Sequence, residues 1–168
     1  MKALPPPQTD MKKFLRSFTY AFSGVLYCVK NERNFRFHLC AAVTVTAFMK
    51  ICGLSPAECC VIYLCIGGVL GFELMNTAVE RAADMQGEEI SPLAKAAKDC
   101  AAGAVLAMAV CSALCGFVLF FQKDRLSVLA GYFLERPAAA AGLIIWIAAA
   151  FCFVFRRDKG KQITKGQS

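Results

Sequence analysis

GFELMNTAVERAAD, residues 71–84, closes a long apolar run and decides how the rest of the chain is read. At about 100° per residue, Glu73, Asn76, Thr77, Glu80 and Asp84 fall on one narrow stripe of a single helix. Leu70, Phe72, Leu74, Met75, Ala78 and Val79 flank that stripe. Upstream, residues 57–72 hold one acid, Glu58 near the start, and are otherwise almost wholly apolar. An acidic stripe therefore enters the inner half of a membrane helix. Carboxylates at that depth are expensive and as a rule serve function. A buried polar network that only fixes helix packing is the structural alternative.

Composition agrees with a membrane setting. Of the 168 residues, 58% are hydrophobic and the mean hydropathy is +0.52. A soluble domain lies nearer about 45–50% apolar, and here the apolar residues form long blocks. One integral membrane domain is expected. The net charge of +7 is spread between those blocks. That distribution suits membrane topology and a polyanionic small molecule better than nucleic acid. The ten cysteines lie mostly inside the blocks, form no CxxC pair, and have one histidine, His38, to join them. They read as small core residues rather than metal ligands or disulfide partners.

In chain order, residues 1–10 (MKALPPPQTD) are a proline-rich tail without the apolar region of a signal peptide. Asp10 suits a helix N-cap. Over residues 11–30, Met11, Phe14, Leu15, Phe18, Phe22, Val25, Leu26 and Val29 repeat with helical spacing. Basic residues occupy other faces, as in a helix lying on the membrane surface. Residues 30–38, KNERNFRFH, set Glu32 among Lys30, Arg33 and Arg36. Sequence physics leaves Glu32 open between an ion pair of little worth and a functional acid. His38 reads as an interfacial histidine.

A first span is expected over 37–54, with Lys50 snorkelling and Gly53 as C-cap. Ser55-Pro56-Ala57-Glu58 is a capping box with proline at N1, so spans one and two form a tight hairpin. The second span, 57–84, carries Gly67 and Gly71, a GxxxG pair that permits close helix approach. A loop with Glu88 and Glu89 leads to Ser91-Pro92, the start of a third span over 93–121. Small residues from Ala101 to Ala107 favour tight packing there, and Lys98 and Asp99 enter near the level of Glu80. Residues 122–136 read as a short polar loop, and 137–155 as a fourth span ahead of a basic tail.

Fifteen lysines and arginines fall on one side of these spans and four on the other. The positive-inside rule then places both termini of a multi-pass protein in the cytoplasm. It gathers Glu32, Glu73, Asn76, Glu80, Asp84, Glu89, Lys98 and Asp99 at one face. Several carboxylates with no histidine or cysteine partner form a hard oxygen set, suited to Mg²⁺ shared with substrate phosphates. Glu73 lies about 10 Å deeper than Glu80 at 1.5 Å per residue, at the depth of a lipid hydroxyl. A carboxylate withdrawn from bulk water there suits proton abstraction. Neither a Walker A sequence nor a protein-kinase glycine loop is present. The layout fits phosphorylation of a membrane lipid alcohol. A small ion or metal transporter is the alternative, but it needs acids across the whole depth, and residues 60–70 have none.

Three segments, NERNFRFH, ELMNTAVERAAD and PLAKAAKDCAAGAVL, make the chain resemble the small bacterial integral-membrane diacylglycerol kinase and undecaprenol kinase family, over roughly residues 14–121. The ERNFR form looks more like the Gram-positive undecaprenol kinase branch. The resemblance implies an all-α membrane protein: an N-terminal amphipathic surface helix (11–30), a three-helix transmembrane kinase core, and here one extra C-terminal transmembrane helix (123–168 with its tail). It implies ATP and Mg²⁺ as co-substrate and cofactor, and undecaprenol as acceptor, with diacylglycerol as the alternative. By resemblance, Glu73 is the catalytic base, Asn76 an amide that orients Glu73 or a phosphate oxygen, and Glu32 and Glu80 hold Mg²⁺ against the phosphates. Lys98 and Asp99 bind nucleotide, Glu89 and Ser91 fall where the family contacts the adenosine, and Lys13 and Tyr20 align with further nucleotide contacts. The family is homotrimeric, so a homotrimer is expected.

Overall fold

A computed structural model describes residues 10–85 and 91–156; Glu88 and Glu89 lie outside the described residues. The described chain is helical throughout: α1 (Asp10–Asn31), α2 (Arg33–Cys52), α3 (Pro56–Asp84), α4 (Pro92–Phe120), α5 (Lys123–Glu135) and α6 (Pro137–Val154). Four of these, α2, α3, α4 and α6, are long and apolar enough to cross a membrane. The expected all-α membrane architecture holds.

Local chemistry sets the boundaries. Gly53 takes the left-handed conformation, φ 61°, that ends α2, and its N–H returns to the Met49 carbonyl. Two residues later the Ser55–Glu58 capping box forms reciprocally, with Pro56 in the first turn of α3. Ser91 caps α4 by accepting from the Ala94 N–H, ahead of Pro92. The first long helix begins at Arg33 rather than Phe37, because only Glu32, in extended conformation, separates it from α1. The surface helix and the first span thus meet at a one-residue corner.

α3 and α4 pair as an antiparallel hairpin, the most extensive helix contact among the described residues. The close approach is at Gly68, where an added Cβ would collide with the end of the Met108 side chain. Gly67 and Gly71, the expected GxxxG pair, have nothing within 4 Å. They lie on a different face, since one residue of offset turns the helix by about 100°.

Residues 122–136, expected as a polar loop, form the helix α5. Asp124 sits in its first turn, Arg125 forms an ion pair with Glu58 and donates to the Leu119 carbonyl, and Phe133 packs edge-on against Phe48 of α2. Tertiary anchors at both ends hold a segment whose composition reads as loop.

α6 lies along α2. Trp146 Nε1 donates to Thr44 Oγ1 at 2.9 Å. At the other end Arg36, 2% exposed, donates to the carbonyls of Val154, the last residue of α6, and of Arg156 just beyond it, and to those of Val29 and Lys30 in α1. Arg33 stands over the Phe155 ring. The added helix is therefore fastened to the α1–α2 corner.

The buried core of the described chain is small: Cys28, Phe35, Met49, Ile62, Val69, Ala94 and Val154. The apolar stretch of α4 has no buried residue, and Met11, Phe14, Leu15, Phe18 and Phe22 of α1 are exposed. These faces suit lipid, or further protein, rather than water.

Candidate active site

The site grows out of the inner end of α3. Residues 73, 76, 77, 80 and 84 share one face because their spacings are the three- and four-residue steps of an α-helix. Glu73 is 3% exposed, and Thr77, one turn on, is also buried and donates from Oγ1 to the Glu73 carbonyl at 3.0 Å. Asn76 Nδ2 donates to Glu80 Oε1 at 3.1 Å. Two buried oxygens, Glu73 Oε1 and Asn76 Oδ1, have no hydrogen-bond partner among the described residues. Leaving such atoms unmatched is unfavourable by about 1–3 kcal/mol each. Orphaned acceptors at one spot mark a place meant for a donor or a cation.

α1 closes over this face. Cys28 is buried there, its thiol hydrogen-bonded to Thr77 and within electrostatic reach of Glu32, Glu73 and Arg81. Burial pushes that thiol up, so it stays neutral and acts as a small filler. Arg81 stands over the Tyr27 ring, its guanidinium 5.0 Å from the centroid. Glu32, at the corner between α1 and α2, is thus carried to the same neighbourhood as Glu73, though the two are 41 positions apart. At the outer end, Lys98 Nζ of α4 donates to Asp84 Oδ1, with Asp99 exposed beside it.

Of the residues singled out in the sequence, Glu73, Asn76 and Glu80 share one face of α3, Glu32 lies with Glu73 within electrostatic reach of Cys28, and Lys98 meets α3 farther out, at Asp84. Ser91 is exposed at the start of α4, its hydroxyl engaged as the helix cap. Tyr20 is exposed on α1, roughly 18 Å along the helix from the corner at 1.5 Å per residue. Glu89 and the Lys13 side chain fall outside the described residues.

Sequence reading gave His38 no part in the site, yet its Nε2 lies 3.4 Å from Glu73 Oε1. That is within ion-pair reach and short of a hydrogen bond. His38 also lines a groove of about 200 Å³ between α2, α3 and α4. The other walls include Ala41, Val45, Ile62, Val69, Leu70 and Gly116, and the Ser112 hydroxyl there is spent on the Met108 carbonyl. Val69 and Leu70 stand one turn before Glu73, so the groove opens beside the carboxylate.

Membrane-length helices that hold a buried acid at the mouth of an apolar groove define an integral-membrane enzyme acting on lipid. Residues 19–120 match the family described as prokaryotic diacylglycerol kinase. The chain is 41% identical over 116 residues to an undecaprenol kinase of Bacillus subtilis, covering 69% of this chain and 94% of the relative. It is 41% identical over 103 residues to a diacylglycerol kinase of Synechocystis, covering 61% of this chain and 59% of that one. A diacylglycerol kinase of Haemophilus influenzae is 30% identical over 117 residues, 67% of this chain and 97% of the relative. No solved structure is significantly similar. The chain belongs to the prokaryotic diacylglycerol kinase family and is a multi-pass membrane lipid kinase. The family match ends at residue 120, so α5 and α6 lie outside it.

Proposed function

We propose that the protein transfers the γ-phosphoryl group of ATP to the hydroxyl of undecaprenol, giving undecaprenyl phosphate and ADP. The buried Glu73 carboxylate at the mouth of the apolar groove is the observation that carries this reading. Glu73 takes the proton of the lipid hydroxyl as its oxygen attacks the γ-phosphorus in line, and ADP leaves without a phospho-enzyme. Asn76 ties Glu80 into place and offers its free carbonyl oxygen to the site.

The donor set fits Mg²⁺: all its atoms are hard oxygens, from Glu32 and Glu80 with the orphaned Asn76 Oδ1 nearby. Mg²⁺ held by one or two carboxylates takes its remaining ligands from phosphate and water. When bound, Mg²⁺ neutralises phosphate charge during transfer. Lys98 and Asp99 serve the nucleotide, with Lys13, Tyr20, Glu89 and Ser91 along its length; Lys98 exchanges Asp84 for phosphate. A homotrimer with both termini cytoplasmic completes the reading.

Undecaprenol is preferred as acceptor because the groove wall is almost bare of donors. A polyprenol is hydrocarbon up to the carbon bearing its hydroxyl, whereas diacylglycerol must bury two ester carbonyls next to it. The Bacillus relative, 41% identical over 116 residues, acts on undecaprenol by name. Purified protein with Mg²⁺ and radiolabelled ATP, offered undecaprenol and diacylglycerol in parallel micelles, tests this. Faster labelling of undecaprenol is expected. Faster labelling of diacylglycerol reassigns the acceptor, and a strict requirement for neither ATP nor Mg²⁺ overturns the mechanism.

A further inference from the structure

Glu73 Oε1 is buried and has no hydrogen-bond partner among the described residues, while His38 Nε2 stands 3.4 Å away on the groove wall. We infer that His38 is a positioning residue for Glu73: its Nε2–H holds Oε1, leaving the second carboxylate oxygen turned to the acceptor hydroxyl. This rests on Glu73 acting as the base.

Three observations support it. First, the gap is small. A shift of a few tenths of an ångström brings the pair into the usual N–H···O range of 2.7–3.2 Å. Hydrogen bonds at catalytic groups are commonly long without substrate and tighten in the reacting complex. Second, the histidine is held to the task. Its ring meets Phe37 edge-on at 5.3 Å, and it sits in the second turn of α2, close after the anchored Arg36. Third, a carboxylate with an unmatched oxygen can rotate about its terminal bond, and a base that rotates misses the proton it must remove. One fixed N–H removes that freedom, which is the role a second residue plays for a general base. His38 also touches the groove, so the group that orients the base borders the acceptor chain.

The test compares His38→Phe, His38→Ala and His38→Gln with the parent and with Glu73→Gln, all as full-length protein in mixed micelles. His38→Phe keeps the ring and its packing but removes the N–H. It is expected to lower kcat by about 10- to 100-fold, the order of loss for a misplaced catalytic group, with the KM for ATP unchanged. His38→Gln, whose amide reaches a similar point, is expected to recover most of that loss. Elution profile and ATP-analogue binding report folding separately. Parent-like kcat in His38→Phe, or a Gln variant as slow as the Phe variant, overturns the inference. Full activity in Glu73→Gln instead overturns the assignment of the base, whatever His38 does.

Discussion

Glu73 and Glu80 are both glutamates on one helix face, yet their surroundings differ. Glu80 accepts from Asn76 at the wetter end, whereas Glu73 is buried with an unmatched oxygen beside an apolar groove. A desolvated carboxylate is suited to take a proton, and a shared, more accessible one to hold a cation. Glu73→Gln is nearly isosteric and cannot accept the proton. It is expected to lower kcat by about 10²–10⁴-fold, the usual contribution of a general base, while ATP-analogue binding is retained. Phosphorylation assays beside calorimetric titration check both halves. At this scale the α3 residues were legible, because helical periodicity alone puts 73, 76, 77, 80 and 84 on one face. His38, Cys28 and Arg36 were not. Their partners belong to other elements, and periodicity carries no information about which helices meet.

Element by element, termini were easier to read than faces. Ser55-Pro56-Ala57-Glu58, Gly53 and Ser91-Pro92 act through their own backbone, so local sequence sufficed. The glycines of α3 misled because GxxxG states a capacity for close approach, and the neighbour decides which face uses it. α4 uses Gly68, through Met108. Because the colliding atom is the end of a flexible side chain, Gly68→Ala is expected to shift stability by less than about 1.5 kcal/mol. Gly68→Leu adds bulk that Met108 cannot clear and is expected to destabilise the hairpin by about 1–3 kcal/mol. Thermal unfolding in detergent reads both, and equal midpoints for parent and Leu variant would refute the Gly68–Met108 contact. α5 escaped sequence reading for the opposite reason. It is short and polar, and its fixed points, Glu58 and Phe48, belong to α3 and α2.

Taken whole, the chain buries little of itself. α4 and α1 keep their apolar faces outward, and a buried carboxylate shares its neighbourhood with a helix whose outer turns are unpacked. Copies of the chain packing together would cover such faces, in keeping with the proposed trimer. Light scattering in detergent, corrected for bound detergent, is expected to give three times the 18.2 kDa chain mass; one chain mass would reject it. The fourth span gives the molecule its other distinctive trait. Arg36 lies at the first turn of an apolar helix and is buried because α6 ends against it. Arg36→Gln removes a charged fork from several carbonyls at once and is expected to destabilise the folded chain by about 1–3 kcal/mol. The loss should show as a lower unfolding midpoint and as earlier protease cutting near residue 136. An unchanged midpoint would mean that α6 is held by its apolar face and Trp146 alone. That fastening also sets a timetable. The Val154 and Arg156 carbonyls are synthesised 118 and 120 residues after Arg36, on the order of ten seconds later at about 5–20 residues per second. During that interval the kinase helices can leave the ribosome and enter the bilayer, but the corner that carries Glu32 lacks the far half of its clasp. A chain released before residue 154 has lost the carbonyls that Arg36 grips, and its α1–α2 corner stays half-clasped.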